Sequence, residues 1–145
     1  MKKRIKKIDD ALLRINVWIS FKSSTKTAYS GVEYPYKAIA PSSGVECTFR
    51  NINDVYVEIL ELYDEAVSKG FKLGEALYSQ CLFFTSPEAL VDSEMQNTIK
   101  EYSYSKAFNC PPYPSINQTP AKVVDDFLLI DEEHTHRIKK DDKNA

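Results

Sequence analysis

The sequence predicts an α+β fold with a small antiparallel three-stranded sheet, a helical hairpin packed on one face of it, and a helical C-terminal third. Three observations support this prediction. Apolar and polar residues alternate over residues 15–22, apolar residues recur at helical spacing over residues 51–70, and the pattern stays helical after Gly70. The 145 residues suit one domain, so we expect residues 1–145 to form a single domain.

The first fifty residues are predicted to contain a basic N-terminal segment, 1–14, and the sheet, 15–50. Within the basic segment, residues 5–14 can form a short helix. The clearest strand comes next, because alternate residues of a strand share one face. One face carries Ile15, Val17, Ile19 and Phe21, and the other carries Asn16, Trp18, Ser20 and Lys22.

Two further strands complete the predicted sheet. The second lies within residues 28–39, where Gly31 and Pro35 mark a bulge or an edge position. The third covers residues 45–50, in which apolar and polar side chains alternate. Turn-forming residues at 23–26 and 41–44 separate the strands, and these short spacings favour an antiparallel meander.

Helices are predicted over residues 53–106. Asn53 can cap the first helix and Gly70 can end it, and the outer face of this helix is strongly acidic. A tight link leads to a second helix over residues 73–84, so the two should form an antiparallel hairpin. The order serine, proline, glutamate at 86–88 is typical of a helix start, and it predicts a third helix to about residue 106.

The C-terminal third begins with a proline-rich connector, residues 109–120, which must be extended. Thr119 and Pro120 mark the start of a final helix over residues 120–138, followed by a tail, 139–145. The apolar side chains of this helix need a surface. They are Val123, Val124, Phe127, Leu128 and Ile130. Because the hairpin already covers one side of the sheet, we expect residues 109–130 to dock away from the body, on a second subunit. From residue 131 the helix is charged and is expected to fray.

Charge and cysteine content limit the functions that the sequence supports. The net charge of −2 gives no overall bias toward nucleic acid or anionic membrane. No stretch approaches the roughly 20 apolar residues of a membrane helix, and the basic start is followed by Asp9 and Asp10 rather than by the apolar run of a signal peptide. Three separated cysteines, Cys47, Cys81 and Cys110, indicate reduced thiols and a cytoplasmic protein.

The sequence offers no catalytic residue, metal site or cofactor motif. His134 and His136 are two residues apart on a helix, so their side chains diverge by about 200° and cannot reach one ion. The adjacent acids Asp9–Asp10 and Asp125–Asp126 diverge by about 100°, which suits a solvated surface better than acid–base catalysis. Cys110 has no base near it in sequence. We therefore expect a protein that is not an enzyme.

Aromatic residues supply the binding candidates. Trp18 falls on the polar face of the first predicted strand, where Lys22, Tyr34 and Tyr36 can lie beside it. Such a surface suits a protein interface or stacking on single-stranded bases. Alternatively, the C-terminal helices cover this face and Trp18 belongs to the core. The order helix, three strands, helix is similar to that of double-stranded RNA-binding domains and of some antitoxin domains. An acidic face here replaces the lysine-rich start of the last helix in the RNA-binding domains, so no family is assigned.

The preferred function is that of a non-enzymatic cytosolic binding or regulatory protein, an inhibitor or accessory factor that occupies a partner's surface. Its partner would be another protein or a second copy, most simply in a dimer. Lysine outnumbers arginine by fifteen to four, which is typical of AT-rich genomes, including those of phages and mobile elements. The alternatives are nucleic-acid binding and an unrecognised enzyme. The nucleic-acid candidates are Lys2, Lys3, Arg4, Lys6 and Lys7.

Overall fold

In the computed structural model, the backbone is described for residues 2–20 and 33–143, and the side chains for residues 6–20, 33–86 and 88–140. These ranges contain helices and one antiparallel pair of strands. The elements are α1 (Lys2–Ser20), β1 (Tyr36–Ile39), β2 (Glu46–Phe49), α2 (Ile52–Lys69), α3 (Leu73–Phe84), α4 (Ser93–Phe108) and α5 (Ala121–Lys143). Single 3-10 turns lie at Pro87–Leu90 and Ile116–Gln118.

Helix α1 is the centre of the fold, and it contradicts the first predicted strand. Residues 15–20 continue the helix, so the sheet has two strands in the described residues rather than three. The helix packs against α2, α3, α4 and α5. Ala11 and Ile15 are fully buried and Val17 is nearly so. Because neighbours surround α1, its apolar surface is much wider than a single stripe, and its sequence can therefore imitate strand alternation.

Asn16 shows how α1 accommodates a polar residue inside the core. It is fully buried, and its amide nitrogen donates to the carbonyl oxygen of Leu90 at 3.1 Å. Its amide oxygen accepts from the backbone N–H of Asp92 at 3.1 Å and from the side chain of Gln96 at 2.9 Å. A buried amide is stable only when it is hydrogen-bonded in this way. Asn16 thus fixes the start of α4 against α1.

The hairpin of β1 and β2 lies at the end of the α2–α3 pair. Tyr36 is paired with Phe49 in the antiparallel register, and Phe49 is buried against Phe84 with ring centroids 5.5 Å apart. Glu58 of α2 accepts hydrogen bonds from the backbone N–H and hydroxyl of Ser42 at 2.8 and 2.7 Å, which holds the turn. The strand predicted at 45–50 is confirmed. The predicted turn at 23–26 and the first part of the strand predicted at 28–39 lie outside the described residues.

The α2–α3 hairpin is confirmed, with one change at its start. Asn51, not Asn53, caps α2: its side-chain oxygen accepts from the backbone N–H of Asn53 at 2.9 Å and of Asp54 at 3.3 Å. Gly70 ends α2 in the left-handed conformation, with φ of 71°, as its position predicts. Helix α3 then has the bounds expected from its apolar spacing.

The third predicted helix is divided. The proline start at 86–88 yields only the 3-10 turn Pro87–Leu90, and α4 begins separately at Ser93. The reason is a second cap, since the Asp92 side chain accepts from the backbone N–H of Met95 at 3.0 Å. Helix α4 ends at Asn109, which is left-handed with φ of 51°. Within the described ranges, no helix is long and apolar enough to cross a membrane.

Helix α5 packs on its own chain, which contradicts the expectation that residues 109–130 dock away from the body. Ile130 is fully buried in a cluster with Leu13, Val17, Ile99 and Tyr102. Because residues 15–20 are helical, α1 supplies the apolar surface that the predicted sheet lacked. The expected fraying from residue 131 is also wrong, since the helix continues to Lys143 and Glu133 is only 3% exposed.

Candidate protein-binding groove

An open groove of about 1130 Å³ separates the N-terminal half of α5 from the N-terminal parts of α1 and α4. We refer to it as the acidic groove. It follows α1 from Lys6 to Arg14, α4 from Asp92 to Glu101, and α5 from Lys122 to Glu132. The three helices pack on one another around Ile130.

The floor of the acidic groove is apolar. Met95, Phe127 and Leu129 are partly buried against the cluster around Ile130, and Leu128 is 65% exposed. The apolar lining residues are Leu13, Met95, Val123, Phe127, Leu128 and Leu129. An exposed apolar strip bordered by charges is typical of an interaction site rather than of a monomer's ordinary surface.

The rim of the acidic groove carries a large excess of negative charge. Eight carboxylates face three cations, Lys6, Arg14 and Lys122, which gives a net charge of −5 when all are ionised. The carboxylates are Asp9, Asp10, Asp92, Glu94, Glu101, Asp125, Asp126 and Glu132. A groove with low-dielectric walls and one sign of charge concentrates its field and attracts partners of opposite sign.

Two of the three cations of the groove, Lys122 and Arg14, are already engaged by carboxylates. Lys122 lies 2.7 Å from Asp126, and this bond is the main cause that raises the lysine pKa, with smaller contributions from Asp9 and Glu94. Arg14 bonds Asp10 at 3.3 Å. Internal pairing therefore leaves the acidic excess uncompensated.

Asp10 also connects the groove to α2. Its carboxylate accepts the hydroxyl of Tyr63 at 2.7 Å. Burial, together with this bond to a carboxylate, raises the pKa of Tyr63 to about 12. The tyrosine is therefore a neutral donor at physiological pH, and it holds the α1 wall of the groove against α2.

The sequence-predicted anchor Trp18 lies elsewhere and is buried. It is 5% exposed on α1, and its indole N–H donates to Oε1 of Glu133 at 2.9 Å. The ring stacks on Tyr78 at 6.2 Å between centroids, and the guanidinium of Arg137 lies 4.9 Å from the ring centroid. The prediction of an exposed tryptophan on a sheet face is wrong. The alternative, in which C-terminal helices cover it, is confirmed.

Tyr34 and Tyr36, the other described binding candidates, do not form an exposed sheet face with Trp18, because both pack against the core cluster that contains it. Tyr34 and Tyr36 are partly buried, Tyr36 as the first residue of β1, and their ring centroids are 5.6 Å apart. Tyr36 also stacks on Phe49 at 5.2 Å, and burial raises its pKa. Lys22 lies outside the described residues. A binding role for Tyr34 and Tyr36 stays a prediction.

The basic segment is the first part of α1. Lys2, Lys3 and Arg4 belong to its helical backbone, and their side chains lie outside the described set. Lys6 is exposed at the rim of the acidic groove, and Lys7 forms an exposed ion pair with Asp64 at 3.0 Å. The described part of this segment thus borders acidic residues.

Beyond the groove, in the second half of α5, charged residues pair with other residues of the same chain. Glu133 bonds Arg14 at 2.5 Å in addition to Trp18. Glu75 of α3 bonds His136 at 2.7 Å and also Lys140, and these two bonds lower its pKa, with Lys140 the larger cause. His134 points elsewhere, toward Tyr102. Among the described residues, no group of three or more histidine, cysteine or acidic side chains is placed to hold a metal ion.

Sequence reasoning missed the groove because it treated its acids as an ordinary solvated surface. Both adjacent-acid pairs, Asp9–Asp10 and Asp125–Asp126, line it. The available signal was an apolar residue three or fewer positions from each pair, Leu13 and Leu128. Each pair lies on a predicted helix, and only the packing of α5 along α1 brings the two pairs to one groove.

The chain matches no protein-family model, no curated protein and no solved structure. Its candidate site is therefore defined by geometry and charge.

Proposed function

We propose that this protein is a small non-enzymatic binding protein of the cytosol that acts by occupying a partner's surface, and that its acidic groove receives a basic amphipathic helix of that partner. The supporting observation is the combination of eight carboxylates with an apolar floor in one groove. Such a protein would serve as an inhibitor or accessory factor, including in a phage or mobile element.

The dimensions of the groove favour a helical guest. Its α1 wall extends from Lys6 to Arg14 and its α5 wall from Lys122 to Glu132, which corresponds to roughly 12–15 Å along a helix axis. A guest of about three turns can place an apolar stripe on the floor and its lysines or arginines toward both rims. Recognition of an amphipathic helix in an apolar groove is a common mode of peptide binding.

The charge of the groove supports a protein partner over a nucleic acid. Phosphates would be repelled by the net charge of −5. The alternative site, Lys2 to Lys7, has one lysine at the acidic rim and one paired with Asp64. Binding of nucleic acid there would weaken steeply with salt, and it stays the second hypothesis.

The test uses a synthetic 18-residue helix of leucine and lysine with leucines on one face. Binding to the full chain is followed by fluorescence anisotropy at low salt. We expect Asp125→Lys to weaken binding at least tenfold, equivalent to about 1.4 kcal/mol, because it reverses a charge on the rim. The matched control is Glu61→Lys on the exposed outer face of α2, which should change affinity less than twofold.

Two further peptides separate groove recognition from general attraction of charge. A scrambled peptide of the same composition lacks the apolar stripe, and a leucine–glutamate peptide lacks the positive charge. Both should bind at least tenfold more weakly. Equal binding of the scrambled peptide, or equal loss with Glu61→Lys and Asp125→Lys, would refute the proposal.

A further inference from the structure

We infer that the acidic groove of one copy is occupied, in the absence of another partner, by the basic N-terminal segment of a second copy, so that self-association regulates access to the groove. This inference rests on the proposed function, because it assigns an occupant and a form of regulation to the same groove. It also gives a role to the basic segment, residues 2–7, of which Lys6 and Lys7 are exposed.

The first support is complementarity of charge. The groove carries a net charge of −5. Lys6 is already included in that charge, and Lys7 pairs with Asp64. Residues 2–4 add three further cations and no acid. Their backbone is already helical, since α1 begins at Lys2. A preformed helix loses less conformational entropy on binding than a disordered segment does. The chain itself therefore contains a short segment of the chemistry that the groove attracts.

The second support is position. The segment cannot turn back into its own groove, because it continues the α1 wall as part of the same helix. Its C-terminal end lies at the rim, where Lys6 lines the groove. Donor and acceptor are thus neighbouring parts of one surface. A two-fold axis beside this surface places each basic segment against the other groove, and such a self-complementary contact is the usual basis of a symmetric dimer.

The third support is that the groove carries apolar area for the contact to cover. Leu128 is 65% exposed at the groove, and the basic segment contributes one apolar residue, Ile5. This apolar part is small, so the contact depends mainly on charge. Exposed charges are screened over about 10 Å at 0.1 M salt, and the dimer should accordingly be weak and sensitive to salt. A longer amphipathic helix from a partner would then displace it.

The experiment measures the mass of the full chain by multi-angle light scattering at about 50 µM, in 50 mM and 500 mM NaCl. We expect dimer at low salt and monomer at high salt. The double variant K3E/R4E should weaken dimerisation at least tenfold. The matched control K37E reverses an exposed lysine on β1 and should leave the dimer unchanged.

A charge swap tests the contact directly. The groove variant E101K/D125K should also be monomeric at low salt. An equimolar mixture of it with K3E/R4E should recover dimer, because in the mixed dimer the reversed segment meets the reversed groove and the wild-type segment meets the wild-type groove. The combined variant K3E/R4E/E101K/D125K restores opposite charges in every contact and should recover dimer. Wild-type monomer at 50 mM NaCl, or dimer indifferent to K3E/R4E, would overturn the inference.

The two proposals fail in distinguishable ways. If the protein is monomeric at low salt but the leucine–lysine helix still binds at Asp125, the groove has an external partner and the inference alone is refuted. If the charge swap recovers dimer but that helix does not bind, the groove serves the second copy only, and the proposed external partner is refuted.

Discussion

The two halves of α5 use charge in opposite ways. In the second half, Glu133 is 3% exposed and is bonded by Arg14 and Trp18, while His136 and Lys140 converge on Glu75. In the first half, residues 122–129 border the acidic groove, where carboxylates outnumber cations by eight to three. Charges that are paired with other residues of the same chain hold the helix in place. An excess of one sign at the surface is available to another molecule.

The difference is energetic as well as geometric. Removing one partner of a buried ion pair leaves a charge without compensation and costs about 3–5 kcal/mol. An exposed pair contributes roughly 0–1 kcal/mol. Variants in the second half of α5 should therefore change the free energy of unfolding, whereas variants in the first half should change binding.

The largest effect is expected from Glu133→Ala. It removes the buried acceptor of both Arg14 and the Trp18 indole, and we expect a loss of about 3–5 kcal/mol in the free energy of unfolding measured in urea. The adjacent control Glu132→Ala removes a side chain that is 65% exposed and 3.8 Å from Arg14, so its cost should stay below about 1 kcal/mol. Equal losses for the two variants would show that the halves of α5 do not differ in this way.

Gly74→Ala should produce the next largest effect. A Cβ atom at this position would lie 2.0 Å from Oε1 of Glu133 and 2.5 Å from Nε1 of Trp18. Alanine favours a helix over glycine by about 1 kcal/mol, but the hydrogen bond between Glu133 and Trp18 leaves no space, so we expect a net loss of about 1–3 kcal/mol. Ser79→Ala, on the exposed face of α3, is the control and should be neutral or slightly stabilising. Stabilisation by Gly74→Ala would show that Glu133 can move away.

Lowering the pH should weaken the charge interactions that hold the second half of α5. The folded pKa of Glu75 lies below its ordinary value of 4.5 because Lys140 and His136 bond the carboxylate. A hydrogen bond from Tyr102 lowers the pKa of Asp131 below 3.8. For both groups the unfolded chain takes up the proton first, so their stabilisation is complete above the ordinary pKa and is lost as pH falls through the folded pKa.

The measurement is the melting temperature as a function of pH. His134 adds to the same trend at higher pH, since burial lowers its pKa below 6.5 and its protonation favours unfolding. We expect the melting temperature to fall from pH 7 to pH 3. Glu75→Gln should flatten the fall of the melting temperature below about pH 4.5. At pH 7 this variant should lower the free energy of unfolding by at most about 1 kcal/mol, because the pair of Glu75 and His136 is partly exposed. An unchanged slope in that variant would contradict this role of Glu75.

Local signals in the sequence predicted much of the fold. Gly70 ends α2 as expected because a left-handed helix end favours glycine, and the alternation around Phe49 is that of an ordinary half-buried strand. The largest error was at residues 15–20. There Asn16 and Trp18 occupy the core because Leu90, Asp92, Gln96 and Glu133 supply their hydrogen bonds. Those partners are over 70 residues away, so no local pattern could reveal that both side chains are buried.

The acidic groove was beyond sequence prediction for the same reason. Asp10 and Asp125 are 115 positions apart, and their proximity to one groove depends on the packing of α5 along α1. The adjacent acids at 9–10 and 125–126 indicated solvated helix faces, which is correct for α1 and for α5 taken separately. Only the arrangement of three helices turns those faces into one surface.

The smallest effect on stability is expected from Asp125→Lys, and this variant tests the first half of α5. Asp125 is exposed on the second turn of α5. Replacing it with lysine opposes the helix dipole near the N-terminus, at a cost of about 0.3–1 kcal/mol, but relieves repulsion from the other rim carboxylates by a similar amount. We therefore expect the free energy of unfolding to change by less than about 0.5 kcal/mol, although the same change weakens peptide binding tenfold. A loss above about 1.5 kcal/mol in urea would assign Asp125 to the stability of α5 itself, and the acidic groove would then resemble the paired half of the helix rather than a site for a partner.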